Sequence, residues 1–275
     1  MKLVGTVGIV TGASRGIGVS IAERLARSGV DLALAARSSE DLEKVAGDVG
    51  RFGHRVITVP TDVTKLDDLE RLVQRTTDEL GAPDLLVNNA GIERYGQFDT
   101  FDPEQDIADI IQTNLIAVEQ LTRVVVPGMI ERRGGHIVNI SSMAGKIGVP
   151  FNSVYSSAKH GLVGFTWSLR EELRGYGIGV SVVCPTFVAE EGMFYRWSQG
   201  AKPPAVARPV TPREVADEVV KAVERDKAEV LVTKGLGKVV DVLYAASPDL
   251  ALGLSRRLGL FRFIRKAADY DHFAR

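Results

Sequence analysis

The sequence predicts an α/β chain, a doubly wound and mostly parallel sheet in a single domain. Short β-branched runs bounded by Gly, Asp or Pro alternate with longer amphipathic stretches, as βαβ units require. The first of these runs turns through a glycine cluster straight into a helix, and no linker, repeat or low-complexity segment divides the 275 residues.

Taken in order, the strands are expected near Val7–Thr11, Asp31–Ala36, Arg55–Val59, Leu85–Asn88, His136–Ser141, Val180–Cys184 and Val230–Thr233. Several are apolar throughout, which suits a sheet covered on both faces. Helices are expected over Ile17–Ser28, with Gly29 as the stop, and over Lys65–Leu80, ending at Gly81. Two long ones follow at Gln105–Arg132 and Val154–Arg174, and another at Pro212–Arg225, where Thr211 caps and Pro212 takes the first helical position.

Composition excludes several function classes. With 34 basic and 35 acidic residues the net charge is −1, so no strong field draws nucleic acid or an anionic bilayer. The one cysteine, Cys184, makes neither an intrachain disulfide nor a zinc knuckle, and His54, His136, His160 and His272 are scattered singly; no metal is expected. No apolar run reaches the roughly 18 to 20 residues of a membrane span. The N-terminus MKLVGTVGIVTGASRG enters a glycine turn too early for a signal peptide, so a reducing, cytoplasmic location is expected.

After the first strand comes Thr11-Gly12-Ala13-Ser14-Arg15-Gly16-Ile17-Gly18. Gly12 lets the chain leave the strand sharply, Gly16 admits a pyrophosphate, and Gly18 lets the helix sit close to the sheet. The helix N-terminus then offers N–H groups and positive dipole to phosphate. The spacing G-x-x-x-G-x-G differs from the commoner G-x-G-x-x-G, and taken alone it also describes a plain tight turn. Context comes from Ala36-Arg37 at the end of the second strand. A carboxylate there would bind an NAD ribose, whereas Arg37 and Arg15 together suit a 2′-phosphate, which favours NADP(H) over NAD(H). Asp62, after the third strand, either accepts from the adenine amino group or caps the next helix.

Tyr155-Ser156-Ser157-Ala158-Lys159 places a phenol and an amine one helical turn apart. Ser142 precedes Tyr155 by thirteen residues at the end of a predicted strand, and Asn88-Asn89-Ala90-Gly91 ends another at the same edge. Open parallel sheets bind ligands there.

Together TGASRGIG, NNAG, the serine thirteen residues before YSSAK, and an Asn in the long central helix resemble the short-chain dehydrogenase/reductase family, over most of residues 5–235. The resemblance implies a Rossmann-like oxidoreductase moving a hydride between NADP(H) and a carbonyl or secondary alcohol. By it Tyr155 is the general acid or base, Lys159 holds the nicotinamide ribose and lowers the phenol's pKa, and Ser142 steadies the substrate oxygen. The Asn114 backbone carbonyl holds a relay water. Cofactor contacts are implied at Gly12, Ser14, Arg15, Gly16, Ile17, Gly18, Arg37, Asp62, Val63, Asn89, Ala90, Gly91, Tyr155, Lys159, Pro185 and Val188. Bringing a phenol from about 10 toward 7 takes roughly 4 kcal/mol, within reach of two nearby cations. A homodimer or homotetramer through the two long helices is implied as well. The rival reading, an NADP(H)-binding sensor or scaffold without turnover, would have no need of Tyr155 or Lys159.

The chain departs from the family at Pro185-Thr186-Phe187-Val188-Ala189-Glu190, where Gly and Thr usually follow the Pro, so Glu190 is left out of the binding set. Met193, Phe194, Tyr195, Trp197, Pro203 and Pro204 mark 189–210 as a lid or as packing, and with Met143, Ile147 and Phe151 they suit an apolar substrate. Glu93, Arg94 and Tyr95 are polar selectors or plain loop. Residues 236–275 form a C-terminal extension. Leu250, Leu254, Leu258 and Phe261 stand at helical spacing there, for packing on the domain or a sister subunit in preference to a membrane.

Overall fold

A computed structural model describes residues 1–189, 193, 203 and 207–273. Each apolar run becomes a strand: β1 (Val7–Thr11), β2 (Asp31–Ala36), β3 (Val56–Pro60), β4 (Leu85–Asn88), β5 (Gly135–Ile140), β6 (Ile178–Pro185) and β7 (Glu229–Val232). They pair in parallel in the order β3-β2-β1-β4-β5-β6-β7. The largest shift from expectation is in β6, which starts at Ile178 because Gly135 of β5 pairs with it.

The helices are α1 (Ile17–Ala26), α2 (Ser39–Gly50), α3 (Leu66–Glu79), α4 (Asp109–Ile111), α5 (Ala117–Arg132), α6 (Ser153–Leu173), α7 (Pro212–Glu224), α8 (Gly237–Ala246), α9 (Pro248–Arg257) and α10 (Leu260–Phe273). The long central helix expected at Gln105–Arg132 is composite, with wide π-type turns at Pro103–Ala108 and Gln112–Ile116 on either side of α4. Asp102 caps it, its carboxylate accepting from the backbone N–H groups of Glu104 and Gln105. Thr211 and Glu214 form a reciprocal capping box on α7.

The sheet is covered on both faces. Val10, Leu32 and Leu34 pack with Ile21 and Leu25 of α1 and Val215 and Val219 of α7; Ile9 and Ala33 point the other way, to Leu69 and Leu72 of α3 and Leu121 and Val125 of α5. Between β1 and β4 the strand order reverses, which opens a crevice at their carboxyl ends.

The C-terminal stripe faces outward. Leu250 is 67% exposed, and Leu254 and Leu258 are 36% exposed, whereas Ala251, Ser255, Leu260, Ile264 and Ala268 are buried. Leu260, Ile264 and Ala268 pack with Tyr95 and Phe187, and Tyr244 and Ala251 pack with Ile147. Among the described residues, no helix is long and apolar enough to cross a membrane.

Candidate active site

The glycine turn is held from two sides. Gly12 has φ +64, and a Cβ there would lie 2.9 Å from Ala90 Cα; a Cβ on Gly18 would lie 2.1 Å from the Gly12 carbonyl oxygen. Thr11 Oγ1 accepts from the backbone N–H groups of Asn89 and Ala90 at 3.0 and 3.1 Å, and Asn89 Nδ2 donates to the carbonyls of Thr11 and Gly12 at 2.9 and 3.2 Å. The Asn89 side chain is therefore spent on tying β4 to the turn. No side chain caps α1 at Gly16, so its first N–H groups face the crevice without a side-chain partner.

Thr11 pairs with Ala35, which brings the turn and Ala36-Arg37 to the same edge. Arg15 and Arg37 are both exposed. The helix-cap alternative for Asp62 does not hold: Oδ1 accepts from the Thr64 N–H and hydroxyl at 3.1 and 2.8 Å in a local turn, while α3 begins after Lys65 without a side-chain cap. Val63 lines a small hollow beside Ala90.

β5 delivers Ser142, and α6 presents Tyr155 and Lys159, into one cavity of about 1220 Å³ including its open mouth, also lined by Ile17, Asn89, Gly91, Pro185 and Val188. Tyr155 is 5% exposed and Lys159 3% exposed. Ser142 Oγ accepts from the Ala144 N–H at 3.1 Å, and the Ser142 side chain is near enough to the Tyr155 phenol to hold its pKa down. Ser141 turns away, its hydroxyl donating to the Lys159 carbonyl at 3.1 Å, so the thirteen-residue spacing picks the serine that meets the tyrosine. Lys159 Nζ donates to the Ile140 carbonyl at 2.9 Å and lies 5.6 Å from the Tyr155 ring centroid. An ammonium carries three donors. Two thus remain for a bound diol.

Asn114 is fully buried. Its Nδ2 donates to the carbonyls of Ile92 and Ile110, each at 2.8 Å, and its Oδ1 accepts from the Ile92 N–H at 3.3 Å, so the side chain clamps the loop after Gly91. A Cβ on Gly91 would fall 2.7 Å from Asn114 Oδ1. The side chains from Gly12 to Gly18, with the uncapped α1 terminus and the two free Lys159 donors, fit a dinucleotide laid across the β1–β4 crevice.

Electrostatically the site differs from expectation. Burial, then the charge of Glu93, pushes the Tyr155 phenol well above its ordinary range, with the Ser142 hydrogen bond opposing them. The Lys159 ammonium, which the resemblance has lowering the phenol's pKa, donates to the Ile140 carbonyl, and burial lowers its own pKa to about 8. Burial also raises Cys184 to about 12.

The three residues after the NNAG turn divide. Glu93 and Tyr95 line the cavity, whereas Arg94 pairs with Asp106 and stacks 4.7 Å from the Phe101 ring centroid. Met143 and Ile147 line the wall as expected; Phe151 instead joins the cluster around Tyr95. Met193 reaches the cavity. Glu190, Phe194, Tyr195, Trp197 and Pro204 lie outside the described residues. Sequence reasoning missed Val240, Leu260 and Ile264 as cavity walls, although the spacing of Leu260, Ile264 and Ala268 was a readable helical signal.

A short chain dehydrogenase family model matches residues 6–200, a span holding every motif above. The chain belongs to the short-chain dehydrogenase family. Among relatives of the family, the ketoacyl reductase HetN of Nostoc sp. is 40% identical over 97% of this chain and 94% of its own length. The 3-oxoacyl-[acyl-carrier-protein] reductase FabG of Vibrio cholerae is 37% identical over 68% of this chain and 75% of its own. A crystal structure of an actinorhodin polyketide ketoreductase variant with NADPH superposes with a TM-score of 0.78 at 34% identity, covering 84% of this chain and 97% of that one. α8 to α10 lie beyond the family-matched span, yet the match to HetN runs through nearly the whole chain.

Proposed function

We propose that this short-chain dehydrogenase is an NADP(H)-dependent reductase of ketone carbonyls on apolar, 3-oxoacyl-like substrates. The observation that carries this reading is a buried Tyr155 phenol that shares one largely apolar cavity with Ser142 and Lys159. The ketoacyl names of the relatives and the NADPH in the structural neighbour support it.

The pyrophosphate would rest on Gly12, Ser14, Arg15, Gly16, Ile17 and Gly18, the 2′-phosphate against Arg15 and Arg37, and the adenine beside Asp62 and Val63. Asn89, Ala90 and Gly91 would floor the central ribose region, Lys159 and Tyr155 would hold the nicotinamide ribose, and Pro185 and Val188 would face the carboxamide. Bound NADPH would supply the hydride to the carbonyl carbon. Ser142 would donate its one hydroxyl proton to the substrate oxygen, and Tyr155 would transfer its phenolic proton to that same oxygen, leaving a phenolate whose charge the Lys159 ammonium offsets through space. The Asn114 carbonyl, in a wide helical turn, would hold a water that returns a proton through Lys159. A buried phenol that keeps its proton suits the acid role in carbonyl reduction. A sensor without turnover would gain nothing from this buried Tyr155–Ser142 contact.

The proposal extends to segment 189–210 as a lid, to residues 236–275 as an extension closing the cavity, and to a homodimer or homotetramer. The outward Leu250 and Leu254 offer apolar surface to a second copy. The test is a ketone panel with NADPH or NADH followed by nicotinamide absorbance. Stoichiometric alcohol formation, faster with NADPH, supports the reading; nucleotide binding without consumption on every ketone overturns it.

A further inference from the structure

The cavity wall is apolar along Met143, Ile147, Val240, Leu260 and Ile264, and Glu93 is the one carboxylate among its described lining residues. A carboxylate on an apolar wall costs desolvation unless it is held by donors. Two residues hold this one. Asn152 Nδ2 donates to Glu93 Oε2 at 3.4 Å, and the buried Tyr95 hydroxyl hydrogen-bonds the same side chain. Asn152 is 1% exposed, and its Oδ1 has no hydrogen-bond partner among the described residues, so this corner holds an unmatched acceptor beside an anion. The corner is fixed from behind, where Asn114 clamps Ile92 and the Gly96 N–H donates to the Phe151 carbonyl at 2.8 Å.

Its field reaches the reacting groups, acting on both the Tyr155 phenol and the Lys159 ammonium. Glu93 lines the same cavity as Tyr155, Lys159 and the apolar wall residues.

We infer that Glu93, held by Tyr95 and Asn152, sets substrate class and direction of entry: it receives a neutral acyl head bearing a hydrogen-bond donor and rejects a free carboxylate. The alkyl chain then runs along the apolar wall of α8 and α10. The corner offers the Glu93 carboxylate and Asn152 Oδ1 as acceptors, which a donor such as an amide N–H satisfies, while a carboxylate head brings anion against anion in a site that water screens poorly. This inference rests on the reductase reading above, and it assigns Glu93 a specificity role with no part in proton transfer.

The test uses 3-oxodecanoate, its methyl ester and its primary amide, which share the reacting ketone and the chain. The wild type is expected to reduce amide and ester at least tenfold more efficiently than the acid by kcat/KM, the amide better than the ester because only the amide carries a hydrogen-bond donor, with the difference mostly in KM. Glu93→Gln is expected to shrink the ester-to-acid ratio at least tenfold, whereas Glu93→Asp, which keeps the charge, retains most of it. Because Glu93, Lys159, Cys184 and Tyr95 all act on or near Tyr155, the pH profile of the reverse oxidation gives a second readout: its rising limb moves to lower pH in Glu93→Gln. A wild type that reduces acid and ester equally well overturns the inference even where a variant fails to fold. So does an unchanged ratio in Glu93→Gln, or equal loss in Gln and Asp variants. No turnover of any of the three overturns the reductase reading, and this inference with it.

Discussion

Replacing Lys159 by methionine separates stability from function. Burial moves its pKa from 10.5 to about 8. At about 1.4 kcal/mol per unit, keeping the ammonium charged at pH 7 destabilises the folded state by roughly 3 kcal/mol. Methionine removes that penalty but forfeits the bond to the Ile140 carbonyl, a loss of about 1 to 2 kcal/mol with the desolvated oxygen. Lys159→Met is therefore expected to be more stable at pH 7 by about 1 to 2 kcal/mol and nearly inactive. With about 2.1 cal/mol/K of unfolding entropy per residue, the midpoint rises by roughly 2 to 3 °C. The pH dependence fixes the cause. Below about 8 both states of the wild type bind the proton and the penalty is complete. Between about 8 and 10.5 the folded state sheds its proton while the unfolded state keeps it, so wild-type stability rises relative to the variant. Thermal melts of both proteins from pH 6 to 11 measure this. A variant that melts below the wild type at pH 7, or a gap that does not change across that window, refutes the reasoning.

Gly18→Ala puts a methyl 2.1 Å from the Gly12 carbonyl oxygen and 2.8 Å from Asn89 Nδ2, so backbone must move; about 1 to 3 kcal/mol of stability and at least tenfold in NADPH affinity are expected to go, by calorimetry and fluorescence titration. Arg37→Asp is expected to move the NADPH-to-NADH ratio of kcat/KM at least tenfold toward NADH, and an unchanged ratio places the 2′-phosphate elsewhere. His136 is held at about 4 by burial, with its Nε2 2.8 Å from Ser181 Oγ. Unfolded chains protonate near 6.5 and the fold does not, so stability falls as pH drops from about 6.5 to 4; denaturant midpoints should fall less steeply there in His136→Gln.

Most of the architecture was legible because buried parallel strands are apolar on both faces, as in Leu85–Asn88, and glycines punctuate them. The helix Ser39–Gly50 was passed over although Leu42, Val45 and Val49 stand at helical spacing behind a Ser38 cap, since charged residues fill the rest of it. Tyr155, Lys159 and Ser142 were singled out by their spacing together with the family motifs around them. The height of the Tyr155 pKa was not legible, because it depends on desolvation and on Glu93, a neighbour sixty-two positions away in sequence. The cavity walls from α8 and α10 escaped for the same reason: spacing marks a helix face, and only the three-dimensional path shows what that face covers. In the tail, of the two packings the spacing allowed, the stripe Leu250, Leu254 and Leu258 is exposed on this chain, one helical position from the buried Ala251 and Ser255, which leaves it to a sister subunit.

The most direct measurement is the steady-state rate of Tyr155→Phe with NADPH and a 3-oxo ester, paired with NADPH binding to the same protein. The account predicts kcat lower by at least about 10²-fold, with the nucleotide dissociation constant changed by no more than about threefold. Turnover close to the wild-type rate by the phenylalanine protein would contradict it.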